Sequence, residues 1–188
     1  VMVPEINLTP QMEARFAGRI EARFGVGTVV LMHSGMTPAQ RTASWLAAHL
    51  GQARLVLGTR LAVLASMPHL RLIVVDEEHD PSYKSQDGSR YSARDLAVYR
   101  GGSRGAEERI QVILGSATPS IETWHNANPV GNKPSRYQRL DMPSRINAAA
   151  MPKVRLVDMR LQQKSELVAG GLAPALMNAI TERAQRGE

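Results

Sequence analysis

The run Leu72-Ile73-Val74-Val75-Asp76-Glu77-Glu78-His79 constrains the fold of this chain more than any other stretch. Its first four residues are apolar and three are β-branched, the pattern of a strand buried within a parallel sheet. The strand delivers three successive acids and a histidine to its carboxyl end, where open α/β sheets bind ligands. Asp76 can hold a magnesium ion, through its water shell, against nucleotide phosphates. Glu77 can polarise the water that attacks a γ-phosphate. The same acids also suit a plain solvated turn, and Glu78 or Asp80 could cap a helix.

The first two-thirds of the chain alternates between strand-like and helix-like stretches. Val1-Met2-Val3 reads as the middle of a strand, so the chain is expected to be a fragment. Thr9-Pro10 starts a helix, with Thr9 as N-cap and Pro10 in the first turn. Met12, Phe16, Ile20 and Phe24 recur every four residues and give that helix one apolar face. Residues 28–32 predict a strand ending at His33-Ser34-Gly35. Thr37-Pro38-Ala39-Gln40 is a capping box that opens a helix running to Gly51. Residues 54–57 predict a strand ending at Gly58-Thr59-Arg60. A polar loop over 80–92 leads to Ser92-Ala93-Arg94-Asp95, a second capping-box pattern, and a helix to about Arg100. After a polar turn, Gln111–Leu114 is the last clear strand, and it delivers Gly115-Ser116-Ala117-Thr118-Pro119-Ser120. Helix signals resume at Ile121. Alternation of this kind predicts an α/β fold, a mostly parallel sheet flanked by helices with its strand ends on one edge.

Beyond Asn126 the texture changes. Pro129, Pro134, Pro143 and Pro152 interrupt the segment, and only residues 154–157 look like a strand. Leu172, Leu176, Ala179 and Ile180 share one face of a closing helix. The expected organisation is a lobe over 1–127 and a basic, Pro-containing connector over 128–188. Residues 133–164 hold eight Lys/Arg (Lys133, Arg136, Arg139, Arg145, Lys153, Arg155, Arg160, Lys164) against Asp141 and Asp158, the whole of the net charge of +6. Such a segment can attract phosphate backbones or form a solvated basic face. With 43% hydrophobic residues the chain can bury a core, and without cysteine it has neither disulfides nor thiolate metal sites. No run approaches the roughly 18 apolar residues of a membrane span.

Taken together, the strand ends resemble the first motor lobe of superfamily 2 helicases, and more closely the bacterial primosomal replication-restart helicases. Residues 3–11, Val-Pro-Glu-Ile-Asn-Leu-Thr-Pro-Gln, look like that family's motif Ia. His33-Ser34-Gly35 and Gly58-Thr59-Arg60 look like its next two signatures. Asp76-Glu77-Glu78-His79 matches motif II, and residues 115–120 match motif III. The loop between them is similar to the family's aromatic-rich loop, although Ser92 stands where histidine is expected. Val157-Asp158-Met159-Arg160 resembles the exit toward a second lobe.

The resemblance implies a RecA-like P-loop NTPase lobe, incomplete at its N-terminal side. It implies an ATP-dependent 3′-to-5′ DNA helicase acting in replication restart, bacterial, cytoplasmic and nucleoid-associated. ATP and Mg²⁺ would be its cofactors, with Asp76 as the magnesium residue and Glu77 as the water-activating one. His79 would contact the coupling motif, Ser116, Ala117 and Thr118. Ser116 and Thr118 could cap the helix before Ile121, alone or alongside that role, and His79 could be an ordinary hydrogen-bonded turn histidine. Thr9, Thr59 and Arg60 would touch the backbone of the tracked strand, although Thr9 equally suits N-capping. Tyr83 and Tyr91 could stack on bases while Lys84 and Arg90 attract phosphates, or one tyrosine could pack back on the lobe. Partners would be forked and single-stranded DNA, primosome proteins and single-strand-binding proteins, with no membrane.

A phosphate loop ending in Gly-Lys-Ser or Gly-Lys-Thr is absent from the sequence and would precede Val1. The arginine finger of a second lobe and the family's zinc-binding cysteines would follow Glu188. Three other readings remain at this point. A double-strand translocase of the restriction or remodelling kind shares motifs II and III. A non-enzymatic DNA-binding or docking lobe needs no turnover. A metal-dependent hydrolase could use His33 with Asp76, Glu78 and His79, but no His-x-x-x-His or repeated carboxylate spacing supports it.

Overall fold

The computed structural model describes residues 1–4, 9–103, 109–129, 131, 134–144, 154, 156–161 and 171–187. Two compact units emerge, Val1–Arg139 and Leu140–Glu188.

The first unit is built on four short strands, β1 (Val29–Met32), β2 (Leu55–Gly58), β3 (Leu72–Val75) and β4 (Gln111–Leu114). β1 pairs with β2 and β3 with β4, both in parallel. The gap between the pairs is closed by the first residues of the chain, since Met2 bridges in parallel to both Gly58 and Val75. Met2 N–H donates to Val74 O at 2.7 Å, Val3 N–H to Gly58 O at 2.9 Å, and Asp76 N–H to Met2 O at 2.9 Å. The expectation of strand texture at Val1–Val3 is therefore met at the centre of the sheet. Met2, Val3, Leu57 and Val75 are among its most buried side chains.

The helices form where their caps lie. α1 (Pro10–Phe24) starts at Thr9, whose hydroxyl accepts the Met12 N–H at 3.3 Å. Its predicted apolar face is half-buried along Met12, Phe16 and Ile20, while Phe24 at the end is exposed. α2 (Pro38–His49) carries the expected capping box. Gln40 N–H donates to the Thr37 hydroxyl, and Thr37 N–H donates back to Gln40 Oε1. α3 (Ala93–Gly102) is capped by Ser92 but lacks a reciprocal bond from Asp95, which pairs with Arg94 instead. Gly101 lets α3 lie close on β4, because a Cβ there would stand 2.5 Å from Val112 Cγ2. Arg100 donates to the carbonyls of Val63 and Ala65, anchoring α3 to a 3₁₀ turn over Arg60–Leu64.

α4 (Ile121–Ala127) is capped by Ser120. The first unit runs past residue 127 because the chain folds back on this helix. Arg136 and Tyr137 N–H both donate to Asn126 O, and the Arg139 guanidinium lies 4.8 Å from the centre of the Trp124 ring.

In the second unit α5 (Pro174–Gln185) forms where the closing helix was expected, with Leu172 just outside it. The strand expected at 154–157 is absent from its described residues: Val154 and Leu156 are exposed and no strand partner stands beside them among the described residues. Apolar alternation does not make a strand without another backbone to satisfy its hydrogen bonds. Of the basic segment, Arg160 pairs with Asp158 through two bonds, at 3.0 and 2.7 Å. Lys133, Arg145, Lys153, Arg155 and Lys164 lie outside the described residues. Among the described residues, no helix is long and apolar enough to cross a membrane.

Candidate functional site

Because Val75 pairs with Leu114, the residues that follow, Asp76 and Gly115, leave the sheet side by side. Gly115 N–H donates to Val75 O at 2.8 Å, which holds the two ends together. The acidic tip and the hydroxyl-bearing turn thus share one edge.

The four acids after β3 fall into different states. Asp76 is exposed, and its Oδ1 accepts the Glu77 N–H at 3.1 Å. Glu77 is held at φ +47°, a left-handed conformation that costs a residue with a side chain on the order of 1 kcal/mol or more. The turn is fixed on both sides, by Glu78 N–H to Gly115 O at 2.9 Å and Asp80 N–H to Glu77 O at 2.8 Å. Glu78 turns inward and is buried. Its Oε1 accepts the Ser120 N–H at 2.7 Å, and its Oε2 accepts from the Ser120 hydroxyl, the Thr123 hydroxyl and Arg94 Nη1. Asp80 caps the 3₁₀ turn Pro81–Tyr83, and the bond from Ser82 holds its carboxyl below the usual carboxylate range. Helix capping is therefore the observed work of Glu78 and Asp80.

His79 joins the two tips. Its Nδ1 lies 2.7 Å from Ser116 Oγ, its Nε2 lies 3.4 Å from Thr118 Oγ1, and Glu77 Oε2 stands 3.6 Å from Nδ1. Ser116 also receives the Thr118 N–H at 2.9 Å, so the hydroxyl turn is tied within itself. Ala117, between them, is exposed. The capping alternative for Ser116 and Thr118 falls to Ser120, whose hydroxyl receives the Thr123 N–H at 3.3 Å.

Among the described residues no three of His, Asp or Glu converge as a metal cage. The hydrolase built on His33, Asp76, Glu78 and His79 is not assembled, because Glu78 is spent on the protein interior. One exposed carboxylate does fit a hydrated magnesium ion shared with substrate phosphates, since that ion is held by one or two carboxylates plus the phosphates.

The loop over 80–92 corrects part of the expected nucleic-acid surface. Tyr83 is buried, and its hydroxyl donates to the Asp76 carbonyl at 2.7 Å, so it offers no ring face to a base. Burial, and then the neighbouring acids Asp76, Asp80 and Glu77, push its hydroxyl pKa well up. Tyr91 is half-buried and its hydroxyl oxygen has no partner. Lys84 and Arg90 are exposed. The loop closes on itself through a Lys84–Ser92 bridge and Ser85 N–H to Tyr91 O. Thr59 is also buried, with its hydroxyl unpartnered, which removes it from any surface contact. Arg60 is half-exposed and Thr9 exposed. The motif Ia residues Glu5 to Leu8 lie outside the described residues.

The sequence reading missed the part played by Arg94. It is a capping-pattern residue by position, yet its guanidinium bonds Asp95, Glu78 and Ser120 together. Burial lowers its pKa, but the bonds and charges of Asp95 and Glu78 outweigh this and raise it. An arginine beside an acid in the first turn of a helix was the available signal.

The chain belongs to the DEAD/DEAH box helicase family, which residues 1–127 match. Its relatives narrow the likeness. It is 43% identical to "Replication restart protein PriA" of Synechocystis sp. (strain PCC 6803) over 166 residues, covering 87% of this chain and 19% of that protein. It is 37% identical to the proteins of the same name from Bacillus subtilis and Haemophilus influenzae, covering 100% of this chain and 22% and 23% of theirs. The resemblance to the replication-restart helicases is thereby borne out, and the chain spans about a fifth of the length of these curated relatives.

Proposed function

We propose that this chain forms most of the first motor lobe of an ATP-dependent 3′-to-5′ DNA helicase that acts in bacterial replication restart. Its substrates would be forked and single-stranded DNA, and its partners primosome and single-strand-binding proteins in the cytoplasm. The observation that carries the reading is the His79 bridge from the acidic tip to Ser116 and Thr118. It supports the reading because Glu77, the proposed water-activating residue, stands 3.6 Å from the ring that bonds Ser116 in the proposed nucleotide-sensing turn.

Magnesium-bound ATP supplies the charge neutralisation and the phosphoryl group. Asp76, exposed at the strand end, would hold that ion through its water shell. Glu77, held by a fixed turn, accepts the proton of the attacking water. His79 senses the position of Ser116 and Thr118 and keeps Glu77 in register. Lys84, Arg90, Arg60 and Thr9 supply sequence-blind contacts to the DNA backbone.

The test is single-strand-stimulated ATP hydrolysis by the full protein. Glu77→Gln should lower turnover by roughly 10² to 10⁴ while DNA binding persists. The 188 residues alone should hydrolyse no ATP above a Glu77→Gln control, since an arginine finger by itself contributes about 10³ to 10⁵. Turnover indifferent to DNA, or unchanged in Glu77→Gln, would sink the reading.

A further inference from the structure

Glu78 stands between Glu77 and His79, yet its side chain is 0% exposed and turned into the protein interior. Its carboxylate binds three residues on two other segments at once. The Ser120 N–H holds Oε1 at 2.7 Å, so the first turn of α4 is tied to the acidic tip. Oε2 takes the Thr123 hydroxyl at 3.0 Å and Arg94 Nη1 at 3.3 Å, so α3 is tied to the same point. Arg94 Nη1 also donates to Ser120 Oγ at 2.8 Å, closing the ring of contacts.

A buried carboxylate is tolerated only while its partners stay in place. Ser92 ends the 80–92 loop and caps α3, two residues before Arg94. Ser120 ends the hydroxyl turn and caps α4. Displacement of either helix must therefore break a charge-assisted bond or pull on Glu78, and with it on Glu77, whose backbone is already at φ +47°.

We propose that Glu78 and Arg94 are a positioning pair that transmits occupancy of the 80–92 loop by DNA to Glu77 and His79. The inference deepens the motor reading and rests on it. Neither residue touches ATP or DNA; each acts by setting where Glu77 points when DNA is bound.

The experiment uses the full protein with Glu78→Gln, Arg94→Lys and Thr123→Val. Turnover and KM for ATP are measured with and without single-stranded DNA, and amide hydrogen exchange is followed over residues 92–96 and 118–124. Glu78→Gln and Arg94→Lys should leave basal kcat and KM within about threefold while cutting DNA-stimulated kcat by about tenfold or more. The two amide segments should exchange faster together. Thr123→Val leaves the ion pair whole, so it remains informative if Glu78→Gln fails to fold, and it should show the same selective loss at smaller size. A stimulated-to-basal ratio equal to wild type in these variants overturns the proposal. So does an equal loss of both rates, which would mark a merely structural pair. A wild-type protein without DNA-stimulated turnover refutes the motor reading itself, whereas the exchange measurement tests the clamp whatever the turnover.

Discussion

The two halves of the sheet fix their carboxyl ends by different means. At β3 and β4 the ends are interlocked by polar contacts, His79 to Ser116 and Thr118, Glu78 to Ser120 and Thr123, Tyr83 to the Asp76 carbonyl. At β1 and β2 they are fixed by backbone bonds, Thr59 N–H to Met32 O at 3.1 Å among them, and by shape. Gly58 admits the Met32 carbonyl, which would lie 2.1 Å from any Cβ placed there, and the Thr59 hydroxyl is buried with no partner. A groove lined by Met32, Arg41, Thr42, Trp45, Leu61 and Leu64 continues that side. Directional bonds hold chemistry to a fixed geometry, whereas close packing only excludes volume. The first half should fail when a partner is lost, the second when bulk is gained.

Gly58→Ala should give the largest effect, about 3 kcal/mol of destabilisation, because backbone rather than a flexible side chain must move. Urea unfolding checks it, and a loss below about 1 kcal/mol would show that the packed half can relax. Tyr83→Phe removes one bond from the polar half and should cost about 1 kcal/mol, while Tyr91→Phe deletes a buried hydroxyl without a partner and should cost nothing or stabilise. Equal losses in the two variants would erase the distinction between them. Lys84→Ala should leave stability alone and reduce the salt slope of DNA binding by about one, without sequence preference. The smallest effect belongs to Asp80. Its carboxyl is held below the ordinary range, so its contribution is complete above the unfolded value of about 4 and disappears as pH falls through the lower folded value. The stability gap between the wild-type chain and Asp80→Ala should therefore be flat near neutrality and close only in acid.

The order of elements, the capping box at Thr37 and Gln40 and the adjacency of the two tips were legible in the sequence, because apolar runs and cap residues act locally. The fates of the acids were not. Strand alternation cannot be carried past Asp76, since Glu77 leaves the extended conformation and resets which way each following side chain points. Three acids that look alike in sequence thus separate into one exposed, one strained and one buried. Tyr83 and Tyr91 presented the same ambiguity. A tyrosine has a body suited to a core and a tip suited to water, and only the Asp76 carbonyl, brought near by the 3₁₀ turn, decides that Tyr83 goes inside.

The position of Met2 between β2 and β3 has a consequence for how the lobe comes together. The segment is made before either neighbour, yet its bridges go to Gly58 and Val75, far downstream. Without its bridges the sheet is two separate ribbons with unpaired inner edges. Joining them requires closure of two long loops, a slow step set by topology rather than by local propensity. During synthesis Met2 and the inner edge of β2 have to be kept from pairing elsewhere until β3 has been made.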